Sequence, residues 1–150
     1  MLGTDSTAPF DTGSHRLRFH GFSGNRIDVC QDLRAASLLL MPSRAEGFGL
    51  VPFEAISAGV PVLVSQESGV AMLLRTLADQ AVIANALADE AIVESTGDLE
   101  ADADTWSERI QRVMADRAAA FERELELRDG LSHMTWAAAV EGVLDQLRSS

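Results

Sequence analysis

Two glutamates, Glu46 and Glu54, stand eight residues apart across a glycine-bearing turn, Glu46-Gly-Phe-Gly-Leu-Val-Pro-Phe-Glu54. Gly47 and Gly49 let the backbone come close to a ligand, and Pro52 suits the first turn of a helix that opens here. The unpaired amides of such a helix start, with the positive end of its dipole, suit a phosphate. One favourable charge-to-dipole contact is typically ~0.3–1 kcal/mol. A carboxylate would repel that same phosphate, so Glu46 and Glu54 are expected to face neutral hydroxyls, for which they are strong acceptors. Sugar or ribose hydroxyls meet that description. The spacing puts Glu54 in the first turn of the helix, where it could equally offset the dipole, and the glycines could equally do no more than shape a turn. Arg44, just before, is a candidate cation for a phosphate or a solvated loop arginine.

The elements around this loop must hold it at the end of a strand. Leu38-Leu-Leu-Met41 is a continuous apolar run stopped by Pro42, the pattern of a strand buried on both faces. Val60-Pro-Val-Leu-Val64 is a second such run, and the helix between them is closed by Gly59. Strand, helix and strand over so short a span make a parallel βαβ crossover, whose ligands bind at the carboxyl ends of the strands. Upstream, Leu17-Arg-Phe-His20 alternates like a short strand, and Asn25 can cap a helix with Ile27, Cys30, Leu33 and Arg34 on one side. Downstream, Ser68 opens a helix with Val70, Leu73, Leu74 and Leu77 on one face, continuing to about Glu90, and Ala91-Ile-Val93 reads as a last short strand. The polar, acidic stretch Ser95–Asp104 is expected to be a solvated loop. Thr105 and Glu108 form a capping box for a helix carrying Trp106, Ile110, Val113 and Met114. A further helix spans about Asp116 to Asp129 and ends at Gly130, and the last starts near Thr135. Residues 1–16 are rich in turn formers and read as a loose arm before a single domain over 17–150.

Composition narrows the partners. Over 150 residues, 23 acidic side chains against 12 basic ones give a net charge of −11, so no broad basic face can follow a nucleic-acid backbone. All twelve basic residues are Arg, and Lys is absent. No apolar run reaches the ~20 residues of a membrane span, and the start lacks the basic and apolar regions of a secretory signal. The single Cys30 permits no internal disulfide and fits a reducing cytoplasm. His15, His20 and His133 show no ligand spacing with Cys30, so no metal site is expected. Ser43 and Ser65 lack a nucleophile elbow, and the acids of 98–104 lack the glycine and spacing of a calcium loop.

In the Glu46–Glu54 segment the sequence resembles the family-four retaining glycosyltransferases of GT-B fold, through their carboxylate-x7-carboxylate signature. The flanks Leu38-Leu-Leu-Met-Pro-Ser43 and Ala55-Ile-Ser-Ala-Gly-Val-Pro-Val62 are similar too. Phe19-His-Gly-Phe22 resembles the strand leading to the nucleotide base, and Thr135-Trp136 the start of the closing helix. The resemblance implies an α/β fold, a partial Rossmann-like parallel sheet flanked by helices, being the C-terminal half of a GT-B fold with its first strands missing. It implies a nucleotide-diphosphate sugar as donor substrate, with no metal or other cofactor. Glu46 would be the catalytic residue beside the transferred sugar, and Glu54 would bind the ribose hydroxyls. Gly47, Phe48, Gly49, Leu50 and Arg44 would line the diphosphate and sugar, with Phe22 towards the base.

The family holds the diphosphate with an Arg and a Lys on its first strands, and the acceptor in an N-terminal half. Neither is found in this chain, so the expectation is a donor-binding domain of a hexosyltransferase, inactive by itself. Its partners would be the sugar nucleotide and either an N-terminal GT-B half or further copies of itself. The alternatives are a sugar-nucleotide-binding or regulatory module without turnover, or a truncated gene product.

Overall fold

The computed structural model describes residues 25–43 and 49–134. The expected strand Leu17–His20, the arm at 1–16 and the helix from Thr135 lie outside the described residues. Three strands, β1 (Leu39–Met41), β2 (Val62–Ser65) and β3 (Ile92–Val93), form a parallel sheet in the order β1-β2-β3. The register pairs Leu39 with Val62 and Met41 with Val64, then Val64 with Ile92. Among the described residues six helices flank it: α1 (Arg26–Ala35), α2 (Leu50–Ser57), α3 (Gly69–Asp79), α4 (Asn85–Ala91), α5 (Leu99–Ala115) and α6 (Arg117–Leu131). This is the expected α/β architecture, with β1, α2 and β2 forming the parallel crossover unit.

Each face of β2 has its own core, because successive strand side chains point to opposite sides. Val62 and Val64 pack with Ala55 and Ile56 of α2, Val70, Leu74 and Leu77 of α3, and Leu127 and Leu131 of α6. Leu63, on the other face, packs with Val93, Val113 and Ala120, beside Trp106 and Ile110 of α5. Full burial of such aliphatic side chains is worth ~1.5–3 kcal/mol each. β1 was expected to be buried on both faces; instead Leu40 is 43% exposed. Leu40 pairs with Leu63, so it lies on the face that α5 covers over Leu63 and Val93, and the cover thins towards β1.

Five other expectations are corrected. In α1 the inward residues are Leu33 and Val29, whereas Ile27, Cys30 and Arg34 face outward. The helix after Ser68 does not continue to Glu90. It ends at Asp79, where Ala81 takes a left-handed φ of 54° and the Val82 and Ala81 amides turn back to the Leu77 and Ala78 carbonyls at 2.9 Å. This is a Schellman stop with alanine at the position where glycine is usual. α2 ends the same way with Gly59, φ 74°, and Val60 N bonded to Ala55 O at 2.9 Å.

The stretch 95–104 is not a solvated loop. Asp98 caps α5, its side chain accepting from Ala101 N at 2.9 Å, and Glu100 and Asp102 lie in the first turn, where acids are favourable. The Thr105–Glu108 pair therefore sits inside a helix, and Thr105 Oγ1 donates back to Ala101 O. Gly130 does not end α6 but lies within it; a Cβ there would stand 2.6 Å from Ile83 Cγ2.

Candidate functional site

The carboxyl ends of the three strands lie side by side, and the chain leaves each of them towards a helix start. Beyond β1 come Pro42 and Ser43, and the chain is described again at Gly49, the N-cap of α2, with φ 79° and ψ 59°. That left-handed conformation is one that glycine adopts without steric cost. Beyond β2, Ser65 is buried and its hydroxyl faces Glu67 N, and the fully buried Ser68 caps α3 by accepting from Ala71 N at 3.1 Å. Gln66 ties β2 to β3: its amide nitrogen donates to Val93 O at 3.0 Å and its side chain to Ser95 O at 2.8 Å.

α2 differs from most of its neighbours at the N-terminus. α1, α3, α5 and α6 are capped by the side chains of Asn25, Ser68, Asp98 and Asp116. Gly49 offers α2 no side-chain cap. Among the described residues no side-chain oxygen caps the Leu50 and Val51 amides of the first turn, and Pro52 at the third position has no amide hydrogen to satisfy. Phe53 N begins the ladder, bonding to Gly49 O at 3.3 Å.

Of the residues named from the sequence, the structure places three. Gly49 is buried at the helix entry, Leu50 is exposed, and Glu54 is half-buried on α2. Glu54 is the fifth residue of the helix, one beyond its first turn, which holds no acid. This corrects the first-turn placement and weakens the reading of Glu54 as a simple dipole partner, since that effect fades within the first turn. Arg44, Glu46, Gly47, Phe48 and Phe22 lie outside the described residues.

The sequence reading missed Asp102. Its buried carboxylate gathers the Ser95 hydroxyl, the Thr96 amide at 2.7 Å, the Thr96 hydroxyl at 2.9 Å and the Gly97 amide at 3.2 Å. The Ser95 hydroxyl bond is the largest cause, and with the others it holds the carboxyl well below the usual carboxylate range, against the opposing effect of burial. The run Ser95-Thr-Gly-Asp98, dense in turn formers, was the available signal.

A cavity of about 320 Å³ runs beside β3, lined by Arg75, Asp89, Glu94, Thr105 and Arg109 among others. Its cations are already engaged: Arg109 donates to the Asp89 and Glu90 carbonyls at 2.6 Å each, and Arg75 lies 3.9 Å from Glu94. None of the described residues of the 42–54 segment lines it. Among the described residues no group of His, Cys, Asp and Glu is placed to hold a metal ion, and no helix is long and apolar enough to cross a membrane.

A small parallel sheet flanked by helices, with its strand ends opening onto a glycine-led helix, defines a partial Rossmann-like fold. The chain matches, over residues 7–143, the family described as "Family 4 Glycosyltransferase in conflict systems", and it belongs to that family. Searches of curated proteins and of solved structures give no significant match.

Proposed function

We propose that this chain is the donor-binding domain of a retaining glycosyltransferase, taking a nucleotide-diphosphate sugar at the carboxyl ends of β1 and β2. The observation that carries the reading is the α2 entry: a left-handed Gly49, no side-chain cap, and a half-buried Glu54 one turn further along the same helix. In this reading the Leu50 and Val51 amides meet the diphosphate, whose growing charge as it leaves is the main electrostatic demand of the reaction. Glu54 accepts from the ribose hydroxyls. Glu46 stands by the transferred sugar, with Arg44, Gly47 and Phe48 around it and Phe22 towards the base. The acceptor is held by a partner outside this chain.

A second reading, a module that holds the sugar nucleotide without turnover, is favoured by the absence of any lysine and by the acidic Glu67 just beyond β2. Calorimetric titration of UDP, GDP and ADP and their sugar conjugates tests the shared core of both. At least one nucleotide should bind the wild-type chain, and Glu54→Ala should weaken it by ~1.5–3 kcal/mol, the range for hydrogen bonds to a charged group. Equal affinities of wild type and Glu54→Ala would reject the assigned role. Motif-dependent transfer to an acceptor, once the acceptor-holding partner is supplied, separates the first reading from the second.

A further inference from the structure

α6 buries a stripe of four residues at helical spacing, Ala120, Glu124, Leu127 and Leu131, and the second of them is a carboxylic acid. Glu124 is only 5% exposed. The Val62 backbone N–H, at the start of β2, donates to its carboxyl, while Oε1 meets no donor among the described residues. The side chain lines a cavity of about 20 Å³ bounded by Val62, Leu87, Ala91, Val113 and Leu127. Such a volume holds about one water molecule.

Among the described residues, the charged groups around this pocket offer Glu124 no dedicated counter-ion. α4 presents Glu90 and α6 presents Arg123, whereas β2, α2 and α5 put no charged residue into the lining. Two α5 arginines are drawn to Glu90, with Arg109 at 4.0 Å and Arg112 at 3.8 Å. A carboxylate in an apolar pocket with one oxygen unpaired is strongly disfavoured, and the group keeps its proton instead.

We propose that Glu124 is a proton-operated latch, which seats α6 against the start of β2 while uncharged and releases it when ionised. Burial pushes this carboxyl up to about 8, with the Val62 amide pulling the other way. The native state therefore binds a proton that the open state loses at the ordinary value of 4.5. Seating is strongest below that value, weakens by about tenfold per pH unit as pH rises, and levels off above about 8. α6 also packs on the closing turn of α2, where the Cβ position of Gly59 lies 3.2 Å from Leu125 and 3.8 Å from Arg128. Release of α6 is thus felt by the helix whose other end carries Gly49.

The experiment is amide hydrogen exchange of the full chain between about pH 5.5 and 9.5, corrected for intrinsic rates, with a carboxyl ¹³C titration of the glutamates. In the wild type, α6 amides should lose protection by a factor of ~100 or more across this range while β2 stays protected. Glu124→Gln should abolish the trend, and Glu122→Gln, an exposed neighbour, should leave it intact. One glutamate carboxyl should titrate near the raised value. If every glutamate titrates in the ordinary range, or if β2 loses protection together with α6, the latch is wrong. The same holds if Glu124→Gln keeps the wild-type trend. Should that variant not fold, the wild-type carboxyl titration and the α6-to-β2 comparison still decide.

Discussion

Gly130 occupies its place in α6 for lack of a side chain. The helix passes so close to the turn before α4 that a Cβ would stand 2.6 Å from Ile83 Cγ2, and Ile83 is buried and branched at Cβ, with little freedom to yield. Overpacking of this kind costs ~1–3 kcal/mol, against the ~1 kcal/mol by which alanine favours a helix over glycine. Gly130→Ala should therefore lose about 1 kcal/mol of stability in denaturant unfolding. In an Ile83→Ala background, where the clashing methyl is gone, the same change should be neutral or stabilising, and a loss of equal size there would refute the packing account. Ser68 is a residue of the opposite kind, buried and needed for its oxygen. Ser68→Ala should cost ~0.5–2 kcal/mol as the Ala71 amide loses its acceptor.

At the scale of elements, two helices end in the same Schellman turn with different residues. α2 uses Gly59 and α3 uses Ala81, both with positive φ. A non-glycine residue pays a steric cost of ~1–2 kcal/mol in that conformation, offset in part by the smaller chain entropy that alanine gives up on folding. Ala81→Gly should raise stability by up to ~1 kcal/mol, which chemical denaturation can resolve. A loss instead would mean that the turn relaxes away from positive φ. The start of α5 depends on Asp102. Because its carboxyl is held low, the stability it lends is present above the ordinary value of 3.8 and is lost as pH falls through the lowered value. Asp102→Asn should lower the melting temperature at neutral pH and flatten the acid limb of the stability curve. A variant as stable as wild type at pH 7 would show that the cluster around Asp102 is dispensable.

For the molecule as a whole, the proposed donor-binding reading predicts binding without turnover by this chain alone. Holding an acceptor hydroxyl against the anomeric carbon can supply ~7–11 kcal/mol of a barrier, and in the proposed reading this chain serves the donor and a partner holds the acceptor. Incubation with labelled nucleotide sugars and a panel of lipid, sugar and protein acceptors should yield no product that depends on Glu46. Product lost in Glu46→Ala would show that copies of the chain, or the acceptor itself, complete the site.

Short-range pattern determined much of this protein. The apolar runs at Leu38–Met41 and Val60–Val64, the glycine stop at Gly59 and the caps at Asn25 and Ser68 are local signals, each set by a few adjacent residues, and the structure contains the corresponding strands and helix ends. The Glu46–Glu54 segment likewise carried the family resemblance in one stretch of chain. Tertiary structure decided what depends on residues distant in sequence. That Leu40 is exposed follows from where α5 lies. The acidic run 98–104 belongs to a helix because Ser95, Thr96 and Gly97 fold onto Asp102. Gly130 reads as a helix stop until Ile83 is brought against it. Glu124 looks like one more acid on a charged helix until β2 and the α4, α5 and α6 packing close over it, because burial is a property of the assembled core and no window of sequence contains it.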